Sequence, residues 1–351
     1  LEPVKKSVKQ PVALSWQMLS DFENSTEQVF YELGHSKTLE DTHAAVSKLH
    51  VPGLNISYGD AEGNIAWWAA ARLLIRPSHV NSFIFLDGAS GKDEFTGYRD
   101  FSGNPQSVNP DSGVVFNANN QPGDMGTGLE PGYYAPETRA RRLSQLLKQE
   151  KYDWKAPDMQ QIQLDTKHPG IPRFRKYFLE VLNESSGRNK VFQSAAETFI
   201  NWDGNHSIDA VGPTIYHRLF YHLSINIFAD EIGEKGTMVL LSTSLADKSI
   251  PRIISNTESP WWDNLNTKDK IETRKDILSA AWVKTVQSLQ QDYGTSVEKW
   301  EWGRMHTLEI QHLLGRKKPL NLLFNLGPYS VPGSKGVLNQ LRQKYGPKAL
   351  K

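Results

Sequence analysis

The spacing at which apolar residues recur changes along this chain, and that change restricts the fold more than any single residue does. Around Asn55-Ile56-Ser57-Tyr58-Gly59-Asp60-Ala61-Glu62-Gly63-Asn64-Ile65-Ala66-Trp67-Trp68, apolar and polar positions alternate on both sides of a Gly-containing turn, the pattern of an antiparallel hairpin. From about residue 155 to 312 apolar residues instead return every three and four positions, as in helices with one buried face. Helices are expected there over 174–183, 190–201, 213–232 and 276–293. Earlier in the chain a helix is expected over 38–50, ended by Pro52-Gly53, and another opened by Pro136 and carried through Arg139, Leu143, Leu146 and Leu147. Short apolar runs predict strands over 11–16 and 113–118, and strand is expected again within 319–339, where Gly/Pro turns return. The class is α+β: a sheet-rich part over 1–130, a mainly helical region over 131–315 and a return to the sheet over 316–351.

Composition excludes several kinds of protein. With 38% hydrophobic and 10% aromatic residues, 351 residues can bury a large core, so disorder is excluded for most of the chain. There is no cysteine, which removes disulfide scaffolds, thiolate-ligated zinc, iron–sulfur clusters and any thiol nucleophile. Forty Lys+Arg stand against 39 Asp+Glu, a formal charge of +1, so no global field draws nucleic acid or an anionic membrane, and neither is expected as a partner. No run approaches the roughly 18 apolar residues of a membrane helix, and the mean hydropathy is −0.52. The opening Leu1-Glu2-Pro3-Val4-Lys5-Lys6 lacks the apolar core of a signal peptide, and a start without Met is expected of a processed product, a trimmed chain or a fragment.

Familiar catalytic motifs fail on inspection. Gly88-Ala89-Ser90-Gly91-Lys92-Asp93 has Leu86 where a phosphate loop needs its first Gly and Asp93 where Ser or Thr would ligate magnesium, so it reads as a surface turn. Neither His-Glu-x-x-His nor Gly-x-Ser-x-Gly occurs. His206, His217 and His222 lie near one another in sequence and read as packing or capping residues rather than metal ligands. The pairs Trp67-Trp68 and Trp261-Trp262 fit either an acyl- or glycan-binding cleft or core packing.

The hairpin segment Asn55-x-x-Tyr58-x-Asp60-x-x-Gly63-Asn64-Ile65 resembles a signature of the penicillin acylase (penicillin amidase) family. Features that follow in the same order are similar to that family too: Arg76-Pro77, Asn117-Ala118-Asn119-Asn120-Gln121-Pro122, Arg139-Ala140-Arg141-Arg142-Leu143, Trp202-Asp203-Gly204, Trp302-Gly303-Arg304-Met305-His306, and Gly327-Pro328-Tyr329-Ser330-Val331-Pro332-Gly333. The resemblance implies an N-terminal-nucleophile hydrolase, built as a four-layer αββα sandwich and matured by autocatalytic cleavage into two chains. In that family the second chain begins with Ser, whose hydroxyl attacks an amide carbonyl while its own α-amino group serves as base. The family position matching Asn119 donates its side-chain N–H to the oxyanion, and Arg139 matches an arginine near the nucleophile. Without the family, Asn119-Asn120 would be an ordinary turn pair, and Arg139 serves equally well as a brace for the Asn119 loop.

This sequence departs from the pattern at both ends. Leu1 is not Ser, Thr or Cys, and the block carrying the nucleophile and second oxyanion donor has no counterpart; beyond Gly333 the family continues through further sheet, whereas this sequence stops at Lys351. The expectation is a large fragment of the nucleophile-bearing chain, inactive alone, from a periplasmic or secreted enzyme that hydrolyses a side-chain amide of a β-lactam antibiotic or an N-acyl homoserine lactone. Its expected partners are the small-molecule amide substrate and other segments or chains of the same precursor. No cofactor or metal is assigned to this chain: calcium belongs to the complete enzyme, the segment around Gly128 lacks the expected acidic residue, and Asp60 reads as a turn or cap residue. The alternatives are a non-catalytic acyl- or glycan-binding module and an inactive fragment of the enzyme.

Overall fold

The computed structural model describes residues 11–19, 26–82, 84–122, 134–148 and 153–346. Contacts divide the chain into two units, Leu1–Ala135 and Pro136–Lys351. The opening residues from Leu1 and the segment around Gly128 lie outside the described residues.

The first unit packs two helices, α1 (Thr26–His35) and α2 (Leu39–Val46), with a three-stranded antiparallel sheet in the order β1 (Leu54–Gly59), β2 (Ile65–Ala70), β5 (Gln106–Val108). Thr38 starts α2 with a capping box: its hydroxyl accepts from Asp41 N–H while the Asp41 carboxylate accepts from Thr38 N–H. Leu54, Ile56 and Tyr58 of β1 turn inward, whereas the central β2 buries Ala66, Trp67, Trp68 and Ala70. A core of Val29, Val46, Leu49, Ala66, Trp68 and Ala70 results. A two-stranded ribbon, β3 (Leu74–Ile75) with β4 (Gly97–Tyr98), lies between β2 and β5 in sequence.

The second unit is mainly helical. In chain order it holds α3 (Thr138–Leu147), α4 (Ala156–Gln163), α5 (Ile171–Arg175), α6 (Leu179–Ser186), α7 (Lys190–Asn201), α8 (Gly212–Ser242), α9 (Leu245–Ser255), α10 (Arg274–Tyr293) and α11 (Trp302–Met305). The ribbon of β6 (Thr307–Ile310) and β7 (Leu326–Ser330) follows, with the short helix α12 (Asn321–Phe324) between its strands. The first half of α8 is buried on most sides where it packs along α10, and its buried Arg218 pairs with Asp292 of α10 at 3.0 Å. Gly233, at φ 72°, breaks α8 one residue after the expected end of the 213–232 helix.

The α+β class with a helical middle is the one found, but local elements differ from expectation. Residues 11–16 form no strand: Val12, Leu14 and Trp16 are exposed, and the chain turns into a short 3₁₀ segment, Gln17–Leu19. Residues 113–118 also form no strand. The third strand of the sheet is instead Gln106–Val108, where Ser107 pairs with Trp67, and it ends at Asn109, whose backbone is left-handed at φ 43°. The helix expected over 174–183 is two helices, because Tyr177 and Phe178 N–H groups bond three residues back, to Phe174 and Arg175, tightening the turn. That turn brings Phe174 and Phe178 together in the core, their rings 5.1 Å apart.

Candidate active site

The hairpin that carries the family signature is held by that signature. Asp60 accepts from Tyr58 O–H at 2.9 Å, from Asn64 N–H at 2.8 Å and from Asn64 Nδ2 at 2.8 Å. The Asn64 side-chain bond, more than the others, holds its carboxyl below the usual range. Gly63 supplies the positive φ of 89° that the turn requires. Trp67 Nε1 donates to Asn55 Oδ1 at 3.1 Å, and Asn109 bridges to β5's end by donating to Asn64 Oδ1 and accepting from Ile65 N–H. Every polar member of the motif is thus spent on the turn and its neighbours, and Asp60 is the turn residue expected of it.

Asn119 sits in the first unit, just after buried Ala118, with a left-handed backbone at φ 60°. Its N–H donates to Asn117 Oδ1 at 2.7 Å, and its carbonyl accepts from Ala135 N–H at 2.6 Å. Asn120 turns its own side chain inward, with Nδ2 donating to the Gln121 carbonyl at 3.1 Å. The main chain of Asn119 is clamped from both sides, and its side chain is exposed. A left-handed non-glycine residue is uncommon, and fixing its backbone in this way fixes the direction of its Cα–Cβ bond.

Arg139 lies in the second unit, on the first turn of α3, half-buried, and burial pulls its guanidinium below the ordinary arginine value. Its neighbours have other tasks. Arg141 pairs with Glu137 one turn away at the surface. Arg142 makes a two-pronged pair with Asp165, at 3.0 Å from Nε and 2.6 Å from the second guanidinium nitrogen, with both side chains largely buried. Because the Asp165 carbonyl also accepts from Asn339 N–H, Arg142→Gln is expected to lower stability by about 2 kcal/mol, between the values for surface and fully buried pairs. Urea unfolding checks this, and any turnover per folded molecule should be unchanged.

His206 and His217 are the packing residues the sequence reading took them for, and the structure joins them in a buried junction of the second unit that the sequence did not show. His206 donates from Nδ1 to the Gly204 carbonyl at 3.0 Å, leaving Nε2 to accept from His217 Nε2–H at 3.3 Å. His217 Nδ1 then accepts from Tyr345 O–H at 3.0 Å and Gln343 Nε2 at 3.1 Å. This network fixes both tautomers with both rings neutral. Burial accordingly depresses His206 to about 3 and His217 well below the usual histidine value. Trp302 stacks between His217, at 4.8 Å, and His306, at 4.6 Å, and donates its Nε1 proton to the Gly333 carbonyl. The motifs Trp202-Asp203-Gly204, Trp302–His306 and the segment ending at Gly333 meet here, so their spacing served packing. His222 stands apart, bonded to Ser288 Oγ at 3.1 Å.

Trp67, Trp68 and Trp262 are buried and half-buried Trp261 packs against the core, with Trp262 donating to the Asn256 carbonyl. Among the described residues no group of three or more His, Cys, Asp or Glu side chains is placed to hold a metal ion. Among the same residues no helix is long and apolar enough to cross a membrane.

The fold resembles that of a thermostable penicillin G acylase from Alcaligenes faecalis, which superposes with a TM-score of 0.59 at 17% identity, over 78% of this chain and 53% of that one. The Penicillin amidase family profile matches residues 3–350, and the chain belongs to that family. It is 25% identical over 332 residues to the acyl-homoserine lactone acylase QuiP of Pseudomonas aeruginosa, covering 88% of this chain and 38% of that protein. QuiP of Pseudomonas fluorescens is 23% identical over 352 residues, covering 95% and 42%. The chain therefore spans about two fifths of the length of these curated relatives, which match it over 38% and 42% of their own residues.

Proposed function

We propose that this chain supplies the Asn119 oxyanion donor of an amide hydrolase whose nucleophile is a serine outside these 351 residues. The observation that carries the reading is the left-handed backbone of Asn119, held by its main-chain bonds to Asn117 and Ala135, at the position that resembles the family's oxyanion donor. The serine hydroxyl attacks the amide carbonyl and passes its proton to the serine's own α-amino group. The oxyanion so formed accepts a hydrogen bond from Asn119 Nδ2–H. The C–N bond then breaks as the leaving amine takes that proton, and water hydrolyses the remaining acyl ester. Arg139 orients groups around the nucleophile. The substrate is a small N-acylated amide, either an N-acyl homoserine lactone, as the names of the relatives suggest, or the side-chain amide of a β-lactam. The enzyme is periplasmic or secreted, is processed autocatalytically, and works with other segments of the same precursor.

The test is denaturing mass spectrometry of the protein expressed from its complete reading frame, beside an assay for amine release from an N-acyl homoserine lactone. A co-purifying chain that begins with Ser, together with amine release, is the expected result. Amine release from a preparation with no such chain would remove the proposed nucleophile.

A further inference from the structure

Asn119 holds an uncommon backbone conformation, and the bonds that keep it there differ in what they depend on. Its carbonyl accepts from Ala135 N–H at 2.6 Å, a main-chain bond that a change of side chain leaves in place. Its N–H donates to Asn117 Oδ1 at 2.7 Å, so this half of the clamp hangs on one side chain. Asn117 thus reaches the amide two residues on, the Asx-turn geometry in which a short carboxamide stands in for a backbone carbonyl. The carboxamide of Asn120 is turned elsewhere: Nδ2 donates to the Gln121 carbonyl at 3.1 Å and Oδ1 accepts from Ala118 N–H at 3.4 Å. Ala118, between Asn117 and Asn119, is buried and anchors the segment from which both side chains leave.

A left-handed backbone costs a non-glycine residue energy of the same order as a single hydrogen bond returns. At φ 60° Asn119 stands on that balance, and the direction of its Cα–Cβ bond changes if it relaxes to the right-handed or extended region. We propose that Asn117 is a positioning residue for the amide hydrolysis: by accepting from Asn119 N–H it holds the left-handed turn and so aims the Asn119 carboxamide. This role rests on the reading of Asn119 as oxyanion donor and adds the group that sets its direction. An oxyanion donor acts by being in place before the charge develops, so molecules whose residue 119 has left the turn stabilise the transition state less. Turnover then scales with the fraction of molecules in the competent turn, whereas substrate binding does not. What the chemistry requires at 117 is an acceptor on a short side chain, not the shape of asparagine.

Two replacements at 117 separate acceptor from shape. Leucine matches asparagine in size and branching but cannot accept a hydrogen bond; serine is smaller but accepts, more weakly, in the same local turn. In protein from the complete reading frame, Asn117→Leu is expected to lower kcat for amine release from an N-acyl homoserine lactone about tenfold, the loss that follows from one such bond, with KM little changed. Asn117→Ser should stay within about threefold of the parent. Amide exchange at residue 119, followed by mass spectrometry with fragmentation to single residues, should be at least about tenfold faster in Asn117→Leu than in the parent. Combined with Asn119→Gly, Asn117→Leu should cost nothing more, because no carboxamide is left to aim; a role in general packing would cost the same in both backgrounds. Serine no better than leucine, unchanged exchange at 119, or a full further loss in the glycine background overturns the proposal. Loss of turnover in Asn119→Gly with none in Asn117→Leu removes the role of Asn117 alone, whereas parental turnover in Asn119→Gly removes the oxyanion reading and this role with it.

Discussion

Asn119→Gly is expected to lower kcat for amide hydrolysis by about 10²–10³-fold, or about 3–4 kcal/mol of transition-state stabilisation, while leaving the fold intact. Glycine is the informative replacement because the backbone at 119 is left-handed, with φ 60°. Alanine would remove the donor and also add strain of order 1 kcal/mol, so a fall in activity could then come from a shifted loop. Glycine adopts this conformation freely and retains the N–H bonded to Asn117 and the carbonyl bonded to Ala135. KM should change little, since the donor acts on charge that develops only in the transition state. Asn119→Asp keeps the shape, replaces the donor by an acceptor and adds negative charge, so its loss should be at least as large. A glycine variant with more than a third of the parental kcat/KM would reduce Asn119 to a turn residue.

How much of this could be read from the sequence depended on how local the cause was. The hairpin was legible because period-two alternation and Asp60–Gly63–Asn64 turn chemistry both act within fourteen residues. The helix over 190–201 and the extent of the 213–232 helix were legible for the same reason, through apolar spacing. The strand expected over 113–118 failed because strand identity is conferred by a partner, and β2 takes Gln106–Val108 instead. The His206–His217–Tyr345 junction was illegible for a stronger reason: its members are 11 and 128 residues apart and share no period. The sequence marked His206 and His217 as packing or capping residues, but nothing local tied them to each other or to Tyr345. At the candidate site, sequence could name Asn119 through resemblance; its left-handed backbone and two-sided clamp came only from the structure.

That junction makes the fold sensitive to acid, and the sign follows from which protonation state the native structure holds. His206 and His217 are buried as neutral rings, and burial, more than the neighbouring histidines, depresses both. An unfolded histidine titrates near 6.5. Below that pH the unfolded chain binds protons that the folded chain refuses, so stability is fully present above about pH 6.5 and falls as pH falls, for His206 until about pH 3. Each ring held neutral removes about 1.4 kcal/mol per pH unit over its window. For His206 alone that is about 2.5 kcal/mol between pH 6 and pH 4, a sizeable part of the stability of many domains, and His217 acts in the same direction. His168 and His222, each depressed to about 4 chiefly by burial, act in the same direction. His306 adds less: burial lowers it, but the Val331 and Leu341 carbonyls at its two nitrogens favour the cation. The urea midpoint, followed by tryptophan emission, is therefore expected to hold between pH 8 and 7 and to drop steeply from pH 6 to 5. His217→Gln should be less stable at pH 8, where Tyr345 and Gln343 lose their acceptor. It should also lose stability more slowly below pH 6, by about one proton's worth of slope. A midpoint that stays flat from pH 8 to pH 5 would mean that the rings are charged or solvated in the native state, and the junction would then be no acid-sensitive latch.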